Sequence, residues 1–233
     1  MQEAEDIGFR LPVIHCYCLR YQEGGIQMLS YGTIEPHTLE LLRQLSGHPL
    51  NSEMRLVGGT ALALQYGHRK SVDLDFFGTF RGDILEFQEM IKSLGKIVSI
   101  KETERIRIYQ INGVKVDFVD YSRYEWIAPP LEENGLRLAS PADIAAMKIN
   151  AIEGRGSRKD FIDVYQLLQH YSLSELLEFY RLKYPEHSFF RALMSLTYFD
   201  DAEQQPMPVM LKDIAWTKIK QSINTEVKRF TCM

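Results

Sequence analysis

A glycine pair at a predicted strand-to-helix turn limits the fold of this chain more than any other feature. Gly58-Gly59 follows the apolar run Met54–Val57 and precedes a compact apolar segment, residues 61–66. The run predicts a short buried strand, and the segment predicts a helix that Gly67 closes. Glycine lets the backbone approach a ligand closely, and the free amides of a helix N-terminus favour phosphate. We therefore expect one half of a nucleotide-binding site at this turn.

Two aspartates on a neighbouring predicted strand supply the other half of the site. In the run 72–77, Asp73 and Asp75 alternate with apolar residues, and thirteen residues separate them from the glycine pair. Because side chains alternate between the two faces of a strand, both carboxylates are predicted to point to one face. Two such carboxylates repel each other unless a divalent cation lies between them, and oxygen ligands suit magnesium. The sequence therefore predicts a Mg²⁺ or Mn²⁺ ion that bridges the protein and a triphosphate.

A third aspartate, Asp117, lies in the middle of the predicted strand 114–119, between apolar neighbours. An unpaired carboxylate would be costly to bury there. Three converging aspartates could hold two metal ions about 3.5–4 Å apart, an arrangement that activates an attacking hydroxyl and relieves charge on phosphorus. Asp120 is the weaker candidate for third ligand, because it lies outside the same-face register.

Simpler explanations exist for each of these motifs taken alone. An isolated Asp-x-Asp is more often a solvated strand end or turn than a metal site. A Gly-Gly turn alone is no better evidence for a nucleotide site. The prediction therefore depends on the whole order of strand, glycine pair, helix and acidic strands. No P-loop competes with it, since Arg69 precedes Lys70-Ser71 where that motif requires glycine, and the chain has no Gly-x-Gly-x-x-Gly fingerprint.

The remaining patterns predict an α/β (α+β) chain in three parts. Residues 1–28 form an extension without clear periodicity, with a weak strand signal at 13–19. Residues 29–139 predict a mixed β-sheet with flanking helices, and residues 140–233 predict a C-terminal α-helical lobe. Asn112-Gly113 is typical of a type I′ hairpin turn. We expect the site in the cleft between the two larger parts.

Composition and charge exclude several classes of protein. The chain has 27 basic and 31 acidic side chains among 233 residues, a formal charge of -4 and a pI near 5.9, so it has no general cationic field for a polyanion. Its three cysteines, Cys16, Cys18 and Cys232, have no zinc-finger spacing and indicate a reduced protein. No apolar run approaches the roughly 18 residues of a membrane span. These features predict a cytoplasmic protein without a membrane partner.

Residues 56–77, LVGGTALALQYGHRKSVDLDFF, closely resemble the signature of the AbiEii/AbiGii toxin family of nucleotidyltransferases. That family belongs to the polymerase beta-like superfamily, in which paired acids and a third acid on a later strand bind magnesium and a nucleoside triphosphate. Asp73, Asp75 and Asp117 match those positions. For the glycine-pair turn and the loop after it, the resemblance implies nucleotide contacts from Gly58, Gly59, Thr60, Arg69, Lys70 and Ser71.

Two later segments, residues 140–148 and 158–168, are similar to further motifs of the family. In those motifs a lysine and an aspartate complete the site, which implies these roles for Lys148 and Asp160, and phosphate or RNA-backbone contact for Arg158. Lys148 falls on the apolar stripe of its helix, so its charge needs a partner, and a triphosphate would be one. Taken alone, Lys148 more simply extends along the core to solvent.

The acids and basic loops near Lys148 have equally simple explanations. Asp160 and Asp163 are expected to cap a helix or to pair with Arg158 and Lys159 at the surface. For the basic loops 68–70 and 155–159, exposure to solvent is the default expectation.

The resemblance implies metal-dependent transfer of a nucleoside monophosphate from a triphosphate to an acceptor hydroxyl, with release of pyrophosphate. The implied acceptor is RNA, notably the 3′ end of tRNA, or a protein. The chain would be the toxin of a toxin–antitoxin or abortive-infection pair, restrained by a separate antitoxin protein. Two alternatives remain open: nucleotidyl transfer to a small molecule such as an aminoglycoside, or phosphoryl transfer to the antitoxin; and a non-catalytic nucleotide-binding module. The acidic pI slightly favours small or protein acceptors.

Overall fold

The computed structural model describes residues 28–232 of the chain. Apart from Met28, the predicted extension lies outside the described residues, and so do the weak strand signal at 13–19 and the cysteines Cys16 and Cys18. Cys232 is exposed and forms no disulfide. Within residues 28–232, no helix has the length and apolar character that a membrane span requires.

The described part of the chain contains seven strands and three α-helices up to residue 138, and its regular elements after that are helices. The strands are β1 (Met54–Val57), β2 (Leu74–Gly78), β3 (Ile97–Glu102), β4 (Ile106–Ile111), β5 (Val114–Asp120), β6 (Leu131–Glu133) and β7 (Leu136–Leu138). The helices are α1 (Pro36–Gly47), α2 (Gly58–Tyr66), α3 (Ile84–Ser93), α4 (Pro141–Arg155), α5 (Arg158–Leu167), α6 (Leu173–Lys183), α7 (Phe189–Ser195), α8 (Asp200–Glu203) and α9 (Trp216–Thr231). This order confirms the predicted α/β class with a helical C-terminal part.

The strands form one mixed sheet in the order β3-β4-β5-β2-β1-β7-β6. Strands β2 and β5 are parallel, as are β1 and β7, whereas the other neighbours are antiparallel. In the β2–β5 pair, Asp75 lies directly opposite Asp117. Directly opposed residues of neighbouring strands share a face, so the sheet topology itself places these two carboxylates side by side.

Two hairpins show how well turn signals predict this fold. Asn112 and Gly113 both have positive φ, 50° and 88°, which confirms the predicted type I′ turn between β4 and β5. A second Asn-Gly turn, Asn134-Gly135, also has positive φ at both residues and connects β6 to β7. Strand β6, which has only three residues, was not predicted from the sequence.

Two element boundaries differ from prediction near the glycine pair. Helix α2 begins at Gly58, three residues before the predicted start, so both glycines lie in its first turn. Strand β2 begins at Leu74, so Asp73 belongs to the loop that precedes the strand. The predicted strand included Asp73, and the observed strand does not.

Helix α4 is the central element of the helical part. It contacts α2, α5, α6 and α7, and Ser140 caps its first turn by accepting a hydrogen bond from the Asp143 amide. The apolar residues of α4 belong to the same buried core as those of the sheet. The division of the chain into two domains at residue 140 stays a prediction.

A buried ion pair connects the start of α4 to the end of α6. The Lys183 ammonium lies 2.8 Å from the Asp143 carboxylate, and both side chains are fully buried. Lys183 also donates to the Glu125 carbonyl, and Asp143 accepts from the Ile127 amide at 2.9 Å. The pair therefore fixes the loop after β5 against both helices. Burial lowers the pKa of Lys183, although the charge of Asp143 opposes this shift.

We expect Lys183→Met to lower the free energy of unfolding by about 3–5 kcal/mol, because it leaves the Asp143 carboxylate buried without its counter-ion. Urea unfolding followed by circular dichroism measures the change. The matched control is Arg181→Met on the same helix, whose side chain is largely exposed and should contribute less than about 1 kcal/mol. Equal losses for the two variants would contradict the structural role of the buried pair.

Candidate active site

A cleft of about 390 Å³ lies between one face of the sheet and helix α4. Both of the larger predicted parts of the chain contribute to it. Its lining residues are Val57, Gly58, Asp75, Phe77, Asp117, Tyr121, Tyr124, Met147, Lys148, Asn150, Ala151, Gly154, Arg155 and Tyr184. Four of the residues singled out from the sequence, namely Gly58, Asp75, Asp117 and Lys148, therefore share one cavity.

Asp75 and Asp117 form the acidic wall of the cleft. Burial and the negative charge of Asp117 raise the pKa of Asp75 to about 6, with Lys148 and Lys115 opposing the shift. Asp117 is paired with the Lys115 ammonium, which lies 2.6 Å from both carboxylate oxygens and is 43% exposed. Two carboxylates in register, one with a raised pKa, form a pair that a cation would stabilise.

Asp73 precedes β2, close enough to the pair for its charge to contribute to the raised pKa of Asp75. It does not line the cleft, and its nearest cationic group is the exposed Lys159 ammonium at 3.8 Å. Within residues 28–232, no three His, Cys, Asp or Glu side chains come together in positions suited to a metal ion. The structure thus brings two of the three predicted ligands together and leaves the third in the loop before β2.

Both glycines of the pair are required by close approach of side chains from this chain. Gly58 has φ +69°, and a Cβ atom there would overlap the Asp75 carboxylate. A Cβ atom on Gly59 would overlap the guanidinium of Arg69. Val57, the residue before α2, makes no side-chain cap, so the first amides of α2 remain available to a ligand. The sequence predicted close approach of a ligand to this turn. The structure shows that the side chains of Asp75 and Arg69 also approach it closely.

Thr60 and Ser71 attach the loop before β2 to helix α2. The buried Thr60 hydroxyl lies 2.8 Å from the Ser71 hydroxyl and also donates to the Asp73 carbonyl. Neither residue lines the cleft, and Lys70 is directed toward Glu35 at 3.3 Å. The structure therefore does not bring these three predicted nucleotide contacts to the acidic wall.

A buried charge network lies behind the cleft. The Lys148 ammonium is 2.9 Å from Asp160 and 2.7 Å from Asp163, and all three side chains are buried. Arg69 forms two hydrogen bonds to Asp163, at 2.7 and 2.8 Å, and His68 lies 2.8 Å from the same carboxylate. The expectations of a Lys148 head in solvent, a solvated loop at 68–69 and surface pairing of Asp160 and Asp163 are therefore wrong.

The network keeps its acids ionised. Burial alone would raise the pKa of Asp160, but the charge of Lys148 and contacts from Arg155 and Ser157 outweigh burial and lower this pKa to about 2. Arg69 and Lys148 likewise hold the pKa of Asp163 well below its usual range, despite its burial. Burial would lower the pKa of Lys148, yet the two aspartates raise it, so its ammonium stays charged beside the cleft.

Arg158 lies away from the cleft. Its guanidinium donates to the carbonyls of Ala202 and Glu203, at 2.9 and 2.7 Å, and lies over the Trp216 ring. Its predicted pairing with Asp160 is wrong, because Arg155 occupies that position with Nε 3.0 Å from the carboxylate. Arg155 itself lines the cleft, although the default expectation for the basic stretch 155–159 was a solvated loop.

Sequence reasoning also missed the aromatic part of the cleft. Tyr121, Tyr124 and Tyr184 line it, and the hydroxyls of Tyr121 and Tyr184 lie 2.7 Å apart. Tyr121 and Tyr124 follow β5 in the stretch YSRYEW, where no regular period identifies a buried face. Only their position, just after the strand that carries Asp117, could have indicated that these tyrosines lie near the site.

Comparison with known proteins identifies the class of this chain. Residues 40–229 match the family model described as nucleotidyl transferase AbiEii toxin, type IV TA system. An uncharacterized protein of Aquifex aeolicus is 32% identical over 200 residues, which cover 82% of this chain and 94% of that protein. The chain is therefore a nucleotidyltransferase, as the sequence predicted. It belongs to the AbiEii nucleotidyltransferase toxin family.

A solved structure of the nucleotidyltransferase toxin MenT4 from Mycobacterium tuberculosis is also similar to this chain. The two chains are 12% identical, the match covers 82% of each, and the TM-score is 0.49.

We expect Gly58→Ala to reduce nucleotidyl transfer by at least roughly tenfold, because the new methyl group would displace the Asp75 carboxylate. Initial rates of transfer measure the effect, and circular dichroism checks that the variant is folded. The control is Gly135→Ala, which has a similar φ of +78° but open space around its Cβ position. Gly135→Ala introduces backbone strain without any overlap with a side chain. Similar losses of activity in both variants would therefore contradict the proposed displacement of the Asp75 carboxylate.

The lowered pKa of Asp160 predicts a particular acid response. The unfolded chain binds a proton at Asp160 more readily than the folded chain does. The contribution of Asp160 to the free energy of unfolding is therefore present above pH 4 and is lost as the pH falls toward 2. Asp160→Asn should remove on the order of 2 kcal/mol of this pH-dependent change. Urea unfolding from pH 2 to pH 7 measures it, with Asp201→Asn, on exposed α8, as control. An unaltered pH slope in Asp160→Asn would contradict this assignment.

Proposed function

We propose that this chain transfers a nucleoside monophosphate from a nucleoside triphosphate to an acceptor hydroxyl in a metal-dependent reaction. The observation that carries the proposal is the in-register pair of Asp75 and Asp117 in a cleft that also contains Lys148 and the start of α2. Acidic ligands, a fixed cation and free helix amides are the groups that binding and transfer of a phosphate require.

The residues present fit a divalent cation. Asp75 and Asp117 supply carboxylate oxygens, which Mg²⁺ and Mn²⁺ prefer, and the raised pKa of Asp75 reflects negative charge that a cation would compensate. Asp73, about a third exposed in the adjacent loop, is the candidate for a further ligand. When bound, the metal would supply charge neutralisation at the phosphate and lower the pKa of an attacking hydroxyl.

The chain's own groups bind and orient the triphosphate in this proposal. The first amides of α2 face a phosphate at Gly58, where the missing side chain leaves room for close approach. Lys148 keeps its charge because Asp160 and Asp163 hold it, and it compensates negative charge on the phosphates. Arg155, which is 62% exposed, lies at the rim of the cleft and can contact the leaving pyrophosphate.

For the acceptor, we propose the 3′ end of tRNA or another RNA, with a cognate antitoxin protein as the second partner. Family membership supports the toxin role, because the family is defined by toxins of type IV toxin–antitoxin systems. We place the reaction in the cytoplasm, where nucleoside triphosphates and tRNA occur together. Protein and small-molecule acceptors, phosphoryl transfer and simple nucleotide binding are the other outcomes of the test below.

Incubation of the purified chain with Mg²⁺, total cellular RNA and each of the four triphosphates labelled at the α-phosphate tests the proposal. We expect labelled RNA from at least one triphosphate, and no label from the same triphosphate labelled at the γ-phosphate, because only nucleotidyl transfer moves the α-phosphate. Asp75→Asn and Asp117→Asn should reduce labelling at least roughly 100-fold, as should omission of the metal.

The control variant is Asp120→Asn, on the same strand as Asp117 but outside the cleft, and it should retain wild-type labelling. Transfer of the γ label would identify a phosphoryl transferase instead. Label on protein or on small molecules would overturn RNA as acceptor, and absence of any transfer would leave only nucleotide binding.

A further inference from the structure

The cleft-facing surface of α4 is divided into a charged and an uncharged flank. At about 100° per residue, Lys148 and Arg155 lie about 20° apart on one flank, next to Asp160. Asn150 and Gly154 lie about 40° apart on the other flank. The first flank therefore belongs to the acidic part of the site, and the second is free to contact an uncharged group.

The sheet side of the cleft shows the same division. Following β2 and β5 in their common direction, the acids Asp75 and Asp117 come first, and Phe77 and Tyr121 follow. The rings of Phe77 and Tyr121 lie 5.2 Å apart. A strand advances about 3.3 Å per residue, so Tyr121 lies roughly 13 Å beyond Asp117. An extended ligand with a charged end and an apolar end therefore fits this cleft.

Nothing in residues 28–232 requires glycine at position 154. Gly154 does not have positive φ, and a Cβ atom there would meet no described atom within 4 Å. Glycine inside a helix is less stable than alanine. Gly154 lines the cleft, so a ligand lying against α4 explains the missing side chain where the fold of residues 28–232 does not.

Asn150, one turn before Gly154, is a polar side chain available to that ligand. It is half-buried and lines the cleft, and its amide makes no hydrogen bond with any residue of the described part of the chain. An asparagine amide presents one donor group and one acceptor side by side. Nucleobases present the same combination at their edges, so the pairing of donors and acceptors can distinguish one base from another.

Tyr124 supplies an aromatic face to the same part of the cleft. Its ring is stacked on Tyr121 with centroids 4.7 Å apart and meets Tyr184 edge-on at 5.3 Å. Tyr121 and Tyr184 are buried, whereas Tyr124 is 38% exposed. A ring supported from behind and accessible in front is suited to stacking with a planar base.

We propose that Tyr124, Asn150 and Gly154 form the nucleobase subsite of the triphosphate, and that Asn150 determines which base is preferred. Tyr124 stacks with the base, Gly154 provides space for it against α4, and Asn150 contacts its edge. The subsite rests on the function proposed above, since the triphosphate of the same molecule occupies the charged flank.

Binding of each of the four triphosphates with Mg²⁺, measured by isothermal titration calorimetry, tests the subsite. Magnesium tripolyphosphate serves as a probe that has no base. Gly154→Ala should raise the melting temperature, because alanine favours helix, and should weaken triphosphate binding by roughly tenfold while leaving tripolyphosphate binding unchanged. The control is Gly47→Ala at the exposed end of α1, which also has open space at its Cβ position and should leave both affinities unchanged.

Two further variants test recognition of the base. Asn150→Ala should reduce the ratio between the strongest and weakest triphosphate affinity by roughly 3- to 10-fold, the effect of losing a hydrogen bond. Tyr124→Leu should weaken all four triphosphates by roughly tenfold and leave tripolyphosphate unaffected. The control for Tyr124→Leu is Tyr198→Leu, an exposed tyrosine outside the cleft.

The outcomes separate this proposal from the function on which it rests. If the wild type binds triphosphates and the Tyr124, Asn150 and Gly154 variants bind all four with wild-type affinities, the subsite is wrong and the proposed function stands. If the wild type binds neither triphosphates nor tripolyphosphate, the proposed function is wrong, and the subsite with it.

Discussion

The contact of Asp163 with three basic side chains is the interaction on which the arrangement of this site depends. One buried carboxylate on α5 accepts from Arg69 and contacts His68 in the loop after α2, and it also contacts Lys148 on α4. Burying charges is costly, and their mutual attraction offsets this cost only when the geometry satisfies every group. Here the ion pairs hold the structure in position, because a single carboxylate contacts three segments that are far apart in the sequence.

The position of Arg69 connects this network to the first turn of α2. A Cβ atom on Gly59 would overlap this guanidinium, just as a Cβ atom on Gly58 would overlap the Asp75 carboxylate, so either substitution would displace a side chain of the site. The glycine pair thus touches the buried network on one side and the acidic wall on the other. The free amides of α2, the ammonium of Lys148 and the carboxylates of the sheet are consequently held in fixed relative positions, which favours catalysis by preorganised charge.

Much of this arrangement could be predicted from sequence where it depends on local pattern. The strand patterns around Asp75 and Asp117 correctly predicted β2 and β5, and the Asn112-Gly113 turn predicted the hairpin that carries Asp117. The helical part was also predictable, because capping and periodicity are properties of neighbouring residues. Asp73 was predicted less well, because the strand begins two residues later than its alternating pattern suggested and so starts after Asp73.

The buried network could not be predicted in the same way. Arg69 and Asp163 are separated by 94 positions in the chain, and a run of basic residues beside glycine is ordinarily exposed to solvent. Whether such residues are buried depends on partners that only the folded topology brings near. The same holds for Tyr124 and Asn150, which meet in one cleft although neither has a local pattern that distinguishes it from a surface residue.

The anchoring of the loop after β5 has a consequence for how ligands enter and leave. This loop is held by the Asp143–Lys183 pair near its end and by the Tyr121–Tyr184 hydrogen bond near its start. The loop is thus held at two points, whereas the Arg155 side chain at the rim of the cleft is 62% exposed. Rotations of exposed side chains take picoseconds to nanoseconds. Within residues 28–232, a ligand that enters this cleft therefore meets a side chain that reorients quickly at the rim, while the loop after β5 stays anchored.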